Sequence, residues 1–302
     1  MKAAVTQAAG GTISVEDVDE PEKRSGSVLV DLGLALLTAS DGATYATGSN
    51  DLFPLIQGSG GVGTLASGGG SLMVGSRVAI WPRLACGRCR FCATGRRDGC
   101  IDGTTLGIDT DGTLAQRVLV PRDNAVNVPS TLAAEVAAAG IDYADAWHLL
   151  KTAAVADDGR KVAIVGSAPT ARAAGLIAER MTDDVVVFAS SEALPGDGSY
   201  DAIIAIGSAV GPLIDKLAIE GMVVVRSPVP GEQPIDAAIL AERRLGVVGA
   251  GPGGRQDFVE VLRWIAHEQF APPVQDTVTL DGVGRALGGA VGITDPVPVV
   301  LV

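Results

Sequence analysis

The chain has 302 residues, 47% of them hydrophobic, enough for one large domain or two ordinary ones, each with a real core. Its formal net charge of −12 leaves no basic face for a nucleic acid, and no apolar stretch reaches membrane-spanning length, so neither partner is expected. Met1 leads through KAAVTQAAGG into an extended segment and not into a charged region followed by an apolar run, and a cytoplasmic location is expected.

The first part reads as β-rich. SVLVDLGLALLT (Ser27–Thr38), SRVAIWP (Ser76–Pro82) and LAQRVLVP (Leu114–Pro121) are short apolar runs punctuated by Gly, Asp and Ser. Between the first two, Gly58 to Gly75 is so rich in glycine that it predicts tight turns or close backbone approach, and no helix. Then comes CGRCRFCATGRRDGC, which holds all the cysteines of the chain, Cys86, Cys89, Cys92 and Cys100, in the pattern C-x2-C-x2-C-x7-C. Thiolates at this spacing reach one ion without strain, and four of them close a tetrahedral zinc shell with no position left for water or substrate. A structural zinc is expected ahead of disulfides, which such close cysteines direct poorly, and of an iron–sulfur cluster, which uses other spacings. Arg88, Arg90, Arg96 and Arg97 read as a solvated face beside the thiolates.

From about Leu132 the texture becomes Ala-rich and helical, and after that strand and helix alternate. Asp157-Asp158-Gly159 reads as a turn. KVAIVG (Lys161–Gly166), VVVFAS (Val185–Ser190), DAIIAIG (Asp201–Gly207) and MVVVRS (Met222–Ser227) are continuous apolar runs, as expected for strands covered on both faces, with the helical stretch ARAAGLIAERM between the first two. The fold class is therefore α/β with a doubly wound parallel sheet following a β-rich domain. Gly249–Gly254 reads as a loop, a helix follows around Phe258–His267, and Trp264 and Phe270 read as core or interface.

MKAAV at the start, the cysteine lobe, the following LGIDTDGTLAQRVLVPRDNAVNVP and the α/β half together resemble the zinc-containing medium-chain dehydrogenase/reductase superfamily, the alcohol-dehydrogenase-like proteins. The resemblance covers nearly the whole chain. It implies a GroES-like β-domain over residues 1–135 with its zinc lobe at 86–100, a Rossmann domain over 136–270, and a C-terminal segment over 271–302 that returns to the first domain. It also implies NAD(P)(H), hydride transfer to or from a carbonyl or alcohol carbon of a small molecule, and a homodimer or homotetramer assembled through the Rossmann domain. Relatives with a catalytic zinc carry C-G-T-D-like, G-H-E and G-C-like motifs. The matching positions here are Thr38-Ala39-Ser40-Asp41, Gly58-Ser59-Gly60 and Gly140-Ile141. Thr, Ser, Gly and Ile hold no metal, and Ala43 stands where relatives keep a proton-relaying His. The chain is thus expected to be a divergent member without a catalytic zinc, with the hydroxyls of Thr38, Ser40, Ser59 and Tyr45 in the vacated pocket.

After the first Rossmann strand, Gly166-Ser167-Ala168-Pro169-Thr170-Ala171 stands for G-x-G-x-x-G/A. Gly166 and Ala171 fit, whereas Ala168 replaces the middle glycine and Pro169 removes an N–H from the helix start. The second strand ends in Ser190 and Ser191 with no acidic residue to take a ribose diol, which favours NADP(H) over NAD(H), although Glu192 beside them would repel a 2′-phosphate. Only SEALPGDGSY separates Ser190 from the next strand, which shortens the adenosine wall. With residues 139–150 helical, as the resemblance implies, Asp145 shares a face with Ile141 and points towards the old metal and nicotinamide region. There it is a candidate general acid or base, or an ordinary carboxylate near a helix start. The expected activity is a zinc-independent, NADP(H)-dependent oxidoreductase on a small carbonyl, alcohol or enoyl substrate. The altered glycine loop leaves open a non-redox enzyme (lyase, cyclase or hydrolase) on the same scaffold, and a non-catalytic binding protein.

Overall fold

The computed structural model describes residues 1–288 and 297–300, apart from 49, 69, 71, 157–158, 197, 228–230, 232–233 and 275. Asp157 and Asp158, read as part of a turn, lie outside the described residues. The chain divides into two compact units, Met1–Ile141 with Phe258–Val302, and Asp142–Asp257.

In the first unit, β1 (Lys2–Thr6) lies between β2 (Ile13–Asp17) and a short β4 (Leu55–Ile56). The larger sheet is organised on β3 (Ser27–Leu37), whose eleven residues bury one face and much of the other. β3 pairs antiparallel with β5 (Gly60–Leu65), with β9 (Arg117–Pro121) and with the C-terminal β17 (Val297–Val300). β6 (Arg77–Ile80) and β10 (Ala125–Asn127) extend it beyond β5, and β16 (Val278–Thr279) lies outside β17. Val28, Val30, Leu37, Leu65, Ile80 and Val120 belong to its core and are all essentially inaccessible. The glycine-rich stretch does not stay irregular: residues 60–65 form a strand, and its glycines let two backbones close up. A Cβ on Gly61 would come to 2.6 Å from the Leu34 carbonyl oxygen, and one on Gly63 would overlap that of Asp31. A short hairpin, β7 (Arg83–Leu84) with β8 (Thr104–Thr105), presents the cysteine lobe. Two helices complete this part, α1 (Ala39–Thr47) directly after β3, and α2 (Arg90–Ala93) inside the lobe.

Helix α3 (Ala134–Thr152) leads from the first unit into the second. There, β11 (Val162–Val165), β12 (Val185–Phe188), β13 (Tyr200–Ile206), β14 (Leu217–Arg226) and β15 (Gly246–Gly249) form a wholly parallel sheet in the order β12-β11-β13-β14-β15. The chain moves outward from β11 to β12, then returns to the far side of β11 as β13. That reversal is the topological switch point of a doubly wound sheet, at whose carboxyl edge ligands bind. The crossovers are α4 (Pro169–Ala178), a 3-10 turn at Ser191–Ala193, a 3-10 segment at Gly211–Lys216 and α5 (Ala237–Arg243). The six-stranded order 3-2-1-4-5-6 would place one more strand outside the second. Among the described residues no such strand lies outside β12, and the ten residues from Ser191 to Tyr200 are too few for a strand and its helix. Helix α6 (Arg255–Glu268) follows, and in the first unit its Phe258 ring stacks on Trp81 at 5.3 Å while Trp264 meets Phe270 at 5.9 Å. The last helix, α7 (Val283–Gly288), packs on the first unit's core through the buried Val283 and Leu287.

Candidate functional site

The cysteine lobe has no apolar core to hold it. Its shape comes from the hairpin, from turns at Gly87 and Gly95 with φ of +75° and +79°, and from α2, which places Cys92 one turn after Cys89. The four sulfurs lie within 4.8 Å of one another, with Cys89–Cys92 at 3.6 Å, Cys89–Cys100 at 3.9 Å and Cys86–Cys92 at 4.0 Å. A tetrahedron of ~2.3 Å zinc–sulfur bonds has sulfurs about 3.8 Å apart, so the cluster fits zinc before any ion is added. Backbone N–H groups also turn inward: that of Cys86 donates to Cys100 Sγ (3.2 Å) and that of Cys89 to Cys86 Sγ (3.4 Å). Donors from the backbone of Cys92 and Ile101 hold the Cys89 thiol down at about 6, whereas desolvation and the neighbouring Cys89 sulfur push Cys92 up to about 12. Four thiolates this close repel one another, and a dication removes the conflict. Arg88, Arg90, Arg96 and Arg97 are exposed, as expected for a solvated face. Arg90 and Arg96 lie over the Phe91 ring at 4.6 and 5.2 Å, and Arg97 pairs with Asp123.

At the vacated metal position the residues are not merely poor ligands; they form a closed arrangement around Asp41. Thr38 follows β3 and caps α1, and Ser59 precedes β5, so the β3–β5 pairing brings the two hydroxyls to 3.3 Å. Asp41 is fully buried on the first turn of α1. Its Oδ2 accepts the backbone N–H of Thr38 (2.8 Å), the Thr38 hydroxyl (2.8 Å) and the Ser59 hydroxyl (3.0 Å), and its Oδ1 accepts the Gly58 N–H (3.1 Å). Behind it, Gln57 donates from Nε2 to the Asp41 carbonyl (2.9 Å) and accepts the Thr6 hydroxyl at Oε1 (2.8 Å). Burial pushes the Asp41 carboxyl above its ordinary value, and the donors from Thr38, Ser59 and Gly58 pull it back only in part. Ile141 takes the space beside Gly60: a Cβ on Gly60 would overlap its Cδ1. A hydrocarbon therefore sits against the position where a ligand set would need a carboxylate, and a catalytic metal does not fit. Of the pocket hydroxyls expected from sequence, Thr38 and Ser59 come together. Ser40 is exposed on α1, and the Tyr45 hydroxyl is spent on the Gly11 carbonyl (3.0 Å).

In the second unit, Gly166 directly follows β11 with φ +149°, and a Cβ there would overlap the Ile206 carbonyl oxygen on β13. Ser167 is exposed, Ala168 caps α4, Pro169 is its first residue, Thr170 is half-buried, and Ala171 is buried against the sheet. The turn keeps the strand–glycine–helix order, with the methyl of Ala168 where the dinucleotide fingerprint has its middle glycine. At the end of β12 the hydroxyls of Ser190 and Ser191 both turn to the Glu192 carboxylate, Ser191 Oγ at 3.2 Å, and together with the Glu192 backbone N–H they hold that carboxyl below its ordinary value.

Asp145 lies on α3 and faces β14 and the loop after β15. Its Oδ2 takes Arg226 Nη2 at 2.6 Å and its Oδ1 the Gly253 N–H at 2.7 Å. Further along α3, His148 Nδ1 (3.0 Å) and Lys151 Nζ (3.0 Å) donate to Asp257 on α6, which also accepts from the Gly254 N–H (2.9 Å). The glycine loop 249–254 is thus anchored to α3 by two carboxylates, a role invisible in the sequence because Arg226 is 81 residues from Asp145. Burial opposes ionisation of Asp257, but His148, Gly254 and Lys151 outweigh it and bring the carboxyl to about 2. The Asp257 hydrogen bond holds His148 above 6.5. The stability contributed by Asp257 is present above 3.8 and lost as the pH falls towards about 2, whereas that of His148 is present below 6.5 and lost as the pH rises through its raised value. The urea midpoint of the intact protein is expected to fall as the pH rises above 6.5 and through the raised value of His148. In His148→Gln that slope should vanish, and a slope that survives would place the titration elsewhere.

Residues 24–130 match the alcohol dehydrogenase GroES-like domain family. The L-threonine 3-dehydrogenase of Rhizobium etli (strain CIAT 652) is 26% identical over 187 residues, 60% of this chain and 54% of its own length, so the match spans about half of that relative. Among solved structures, an NAD-dependent alcohol dehydrogenase is 23% identical with a TM-score of 0.83, covering 100% of both chains. A dehydrogenase of Sinorhizobium meliloti 1021, assigned as zinc-binding and bound to NADP, is 22% identical with a TM-score of 0.85 over 99% of both. A thermostable alcohol dehydrogenase from Pyrobaculum aerophilum is 23% identical with a TM-score of 0.80, covering 100% of this chain and 99% of its own. These structures share the fold along its whole length. The chain thus carries an alcohol dehydrogenase GroES-like domain over residues 24–130, and with its four-cysteine lobe and parallel sheet it shares the fold of these dehydrogenases.

Proposed function

We propose that the protein is a zinc-independent, NADP(H)-dependent oxidoreductase acting on a small carbonyl, alcohol or enoyl substrate. The observation that carries this reading is the turn from β11 into α4. Gly166 keeps the backbone conformation and close strand approach that a pyrophosphate site needs, and Ala171 keeps the small buried residue, although the middle glycine is gone. A dinucleotide bound there would supply or take the hydride. The NADP bound to the Sinorhizobium dehydrogenase supports the choice of cofactor, and Ser190 and Ser191 are the residues that would meet a 2′-phosphate. Thr38 and Ser59 are assigned to proton handling, whereas Asp145, spent on Arg226 and Gly253, is assigned to holding the loop. Val247 and Val248 on the edge strand β15 remain 37% and 39% exposed, which supports assembly of a homodimer or homotetramer through this unit. Among the described residues no helix is long and apolar enough to cross a membrane, and the thiolate cluster suits a reducing compartment such as the cytoplasm.

Calorimetric titration of the zinc-loaded protein with NADPH and then NADH tests the reading. Saturable NADPH binding supports it; failure of both cofactors to bind a folded sample overturns it. The missing outer strand favours the non-redox alternative in that event, because it removes part of the wall around an adenosine. A charge test follows from Glu192. Glu192→Gln removes the carboxylate that engages both serine hydroxyls, and NADPH should bind about two- to fivefold tighter with NADH little changed. An equal gain for both cofactors would remove Ser190 and Ser191 from the 2′-phosphate site.

A further inference from the structure

We infer that Asp41, acting through Ser59, sets the hydrogen-bond polarity of the vacated metal position: with its carboxyl protonated Ser59 offers a proton, and with its carboxylate ionised Ser59 accepts one. The inference rests on the oxidoreductase reading and assigns its proton-handling group.

Ionised, Asp41 has lone pairs for all four of its donors, the N–H groups of Thr38 and Gly58 and the hydroxyls of Thr38 and Ser59. Both hydroxyl hydrogens then point inward, and what Ser59 presents outward is lone pairs. When Oδ2 carries a proton, that proton takes the Ser59 contact and the serine hydrogen turns away from the carboxyl. Asp41 itself touches nothing but protein, since it is fully buried, and Thr38 and Ser59 stand between it and the outside at 4% exposure each. It is a positioning residue and a proton store. The side chains hydrogen-bonded around it, Thr38 and Ser59 directly and Gln57 and Thr6 behind its carbonyl, are neutral. The titratable groups on the elements around it are Tyr45 on α1, bonded to Gly11; Asp111, bonded to the Ile56 N–H; Asp31 on β3, paired with Arg117; Lys2 on β1, paired with Asp17; and Arg285 on α7, which packs on α1.

A nicotinamide held by the Gly166–Ala171 turn would supply the hydride; at this position the carbonyl oxygen that gains the π pair would take the Ser59 proton. Asp41 passes its proton to Ser59 Oγ and is left as the carboxylate, with all four donors in place. It regains a proton from water through the same hydroxyl once the alcohol and the oxidised cofactor leave. Oxidation of an alcohol runs the sequence backwards.

The test uses the full zinc-loaded chain. Difference infrared spectroscopy should find a carboxyl that remains protonated above the ordinary carboxylate range and is absent from Asp41→Asn. In Ser59→Ala its midpoint should rise, because a donor to the ionised form is lost. Ser59→Ala leaves the start of α1 intact and so stands in should Asp41→Asn fail to fold. With NADPH and a series of straight-chain aldehydes as probes, the turnover rate should fall as the pH rises through that midpoint. It should fall about 100-fold or more in Ser59→Ala and recover in Ser59→Thr, with NADPH affinity unchanged. If no carboxyl titrates there, the inference fails whether or not NADPH binds. It fails equally if NADPH binds and no aldehyde is turned over, or if the rate ignores the midpoint. If NADPH does not bind while the carboxyl titrates as described and responds to Ser59→Ala, the oxidoreductase reading falls and the Asp41–Ser59 proton pair stands.

Discussion

Replacing Cys92 with serine is expected to release the zinc and unfold the whole lobe from Cys86 to Cys100. Nothing else can hold it. Every residue from Ala93 to Gly99 is exposed, α2 is four residues long, and no helix of that length persists alone in water. The ion contributes about 10–16 kcal/mol of apparent binding free energy in comparable thiolate sites at neutral pH, far more than the two-residue strands of the supporting hairpin can supply. Serine is a poor ligand for zinc, and three remaining thiolates leave an open, hydrolysable position in place of a closed shell. Metal analysis should drop from one zinc per chain towards none. Trypsin reports the unfolding directly, because Arg88, Arg90, Arg96 and Arg97 all lie within the lobe. Cleavage there should become fast in Cys92→Ser and in the chelator-treated native protein alike. A variant that keeps its zinc, or a lobe that resists trypsin without it, would mean that the cysteines are not what shapes this segment.

The lobe was legible from the sequence because its chemistry is local: four ligands within fifteen residues specify their own geometry. The strands of the parallel sheet were legible for a similar reason, since burial on both faces writes an unbroken apolar run. So was the shortness of the stretch from Ser191 to Tyr200, which the spacing alone gives. Asp41 was not legible as the centre of the hydrogen-bonded cluster with Thr38 and Ser59. Its importance comes from Gly58 and Ser59, 17 and 18 residues away across a β-pairing, and from complete burial, and neither is written near it. The same holds for Ile141 and Gly60. Each reads as the loss of a ligand, and only their contact shows that one change makes room for the other. Ser40, a neighbour of Thr38 and Asp41 in sequence, turns outward because the first turn of a helix sends adjacent side chains to different faces. Asp145 was placed on the right helix, but its partners, 81 and 108 residues on, make it an anchor for a loop.

Gly166→Ala is expected to abolish dinucleotide binding and to destabilise the second unit by about 3 kcal/mol or more. Two costs coincide at this position. The backbone at φ +149° is one that side chains with a Cβ rarely adopt, and the added methyl would overlap the Ile206 carbonyl oxygen. The overlap is with main chain, so no rotamer change relieves it. β11 and β13 would have to part, and their register from Val162–Ala202 to Val165–Ala205 runs up to the residue before Gly166. These two strands flank the switch point, so the strain falls where a pyrophosphate would sit. Gly249→Ala supplies the control, since that glycine ends another strand of the same sheet but has nothing within 4 Å of an added Cβ and no positive φ. Urea unfolding should separate the two variants clearly, with Gly249→Ala near the native midpoint. Similar midpoints would show that Gly166 is as replaceable as Gly249. The turn that supports cofactor binding would then have lost its physical basis, and NADPH titration of the Gly166→Ala protein would be expected to succeed.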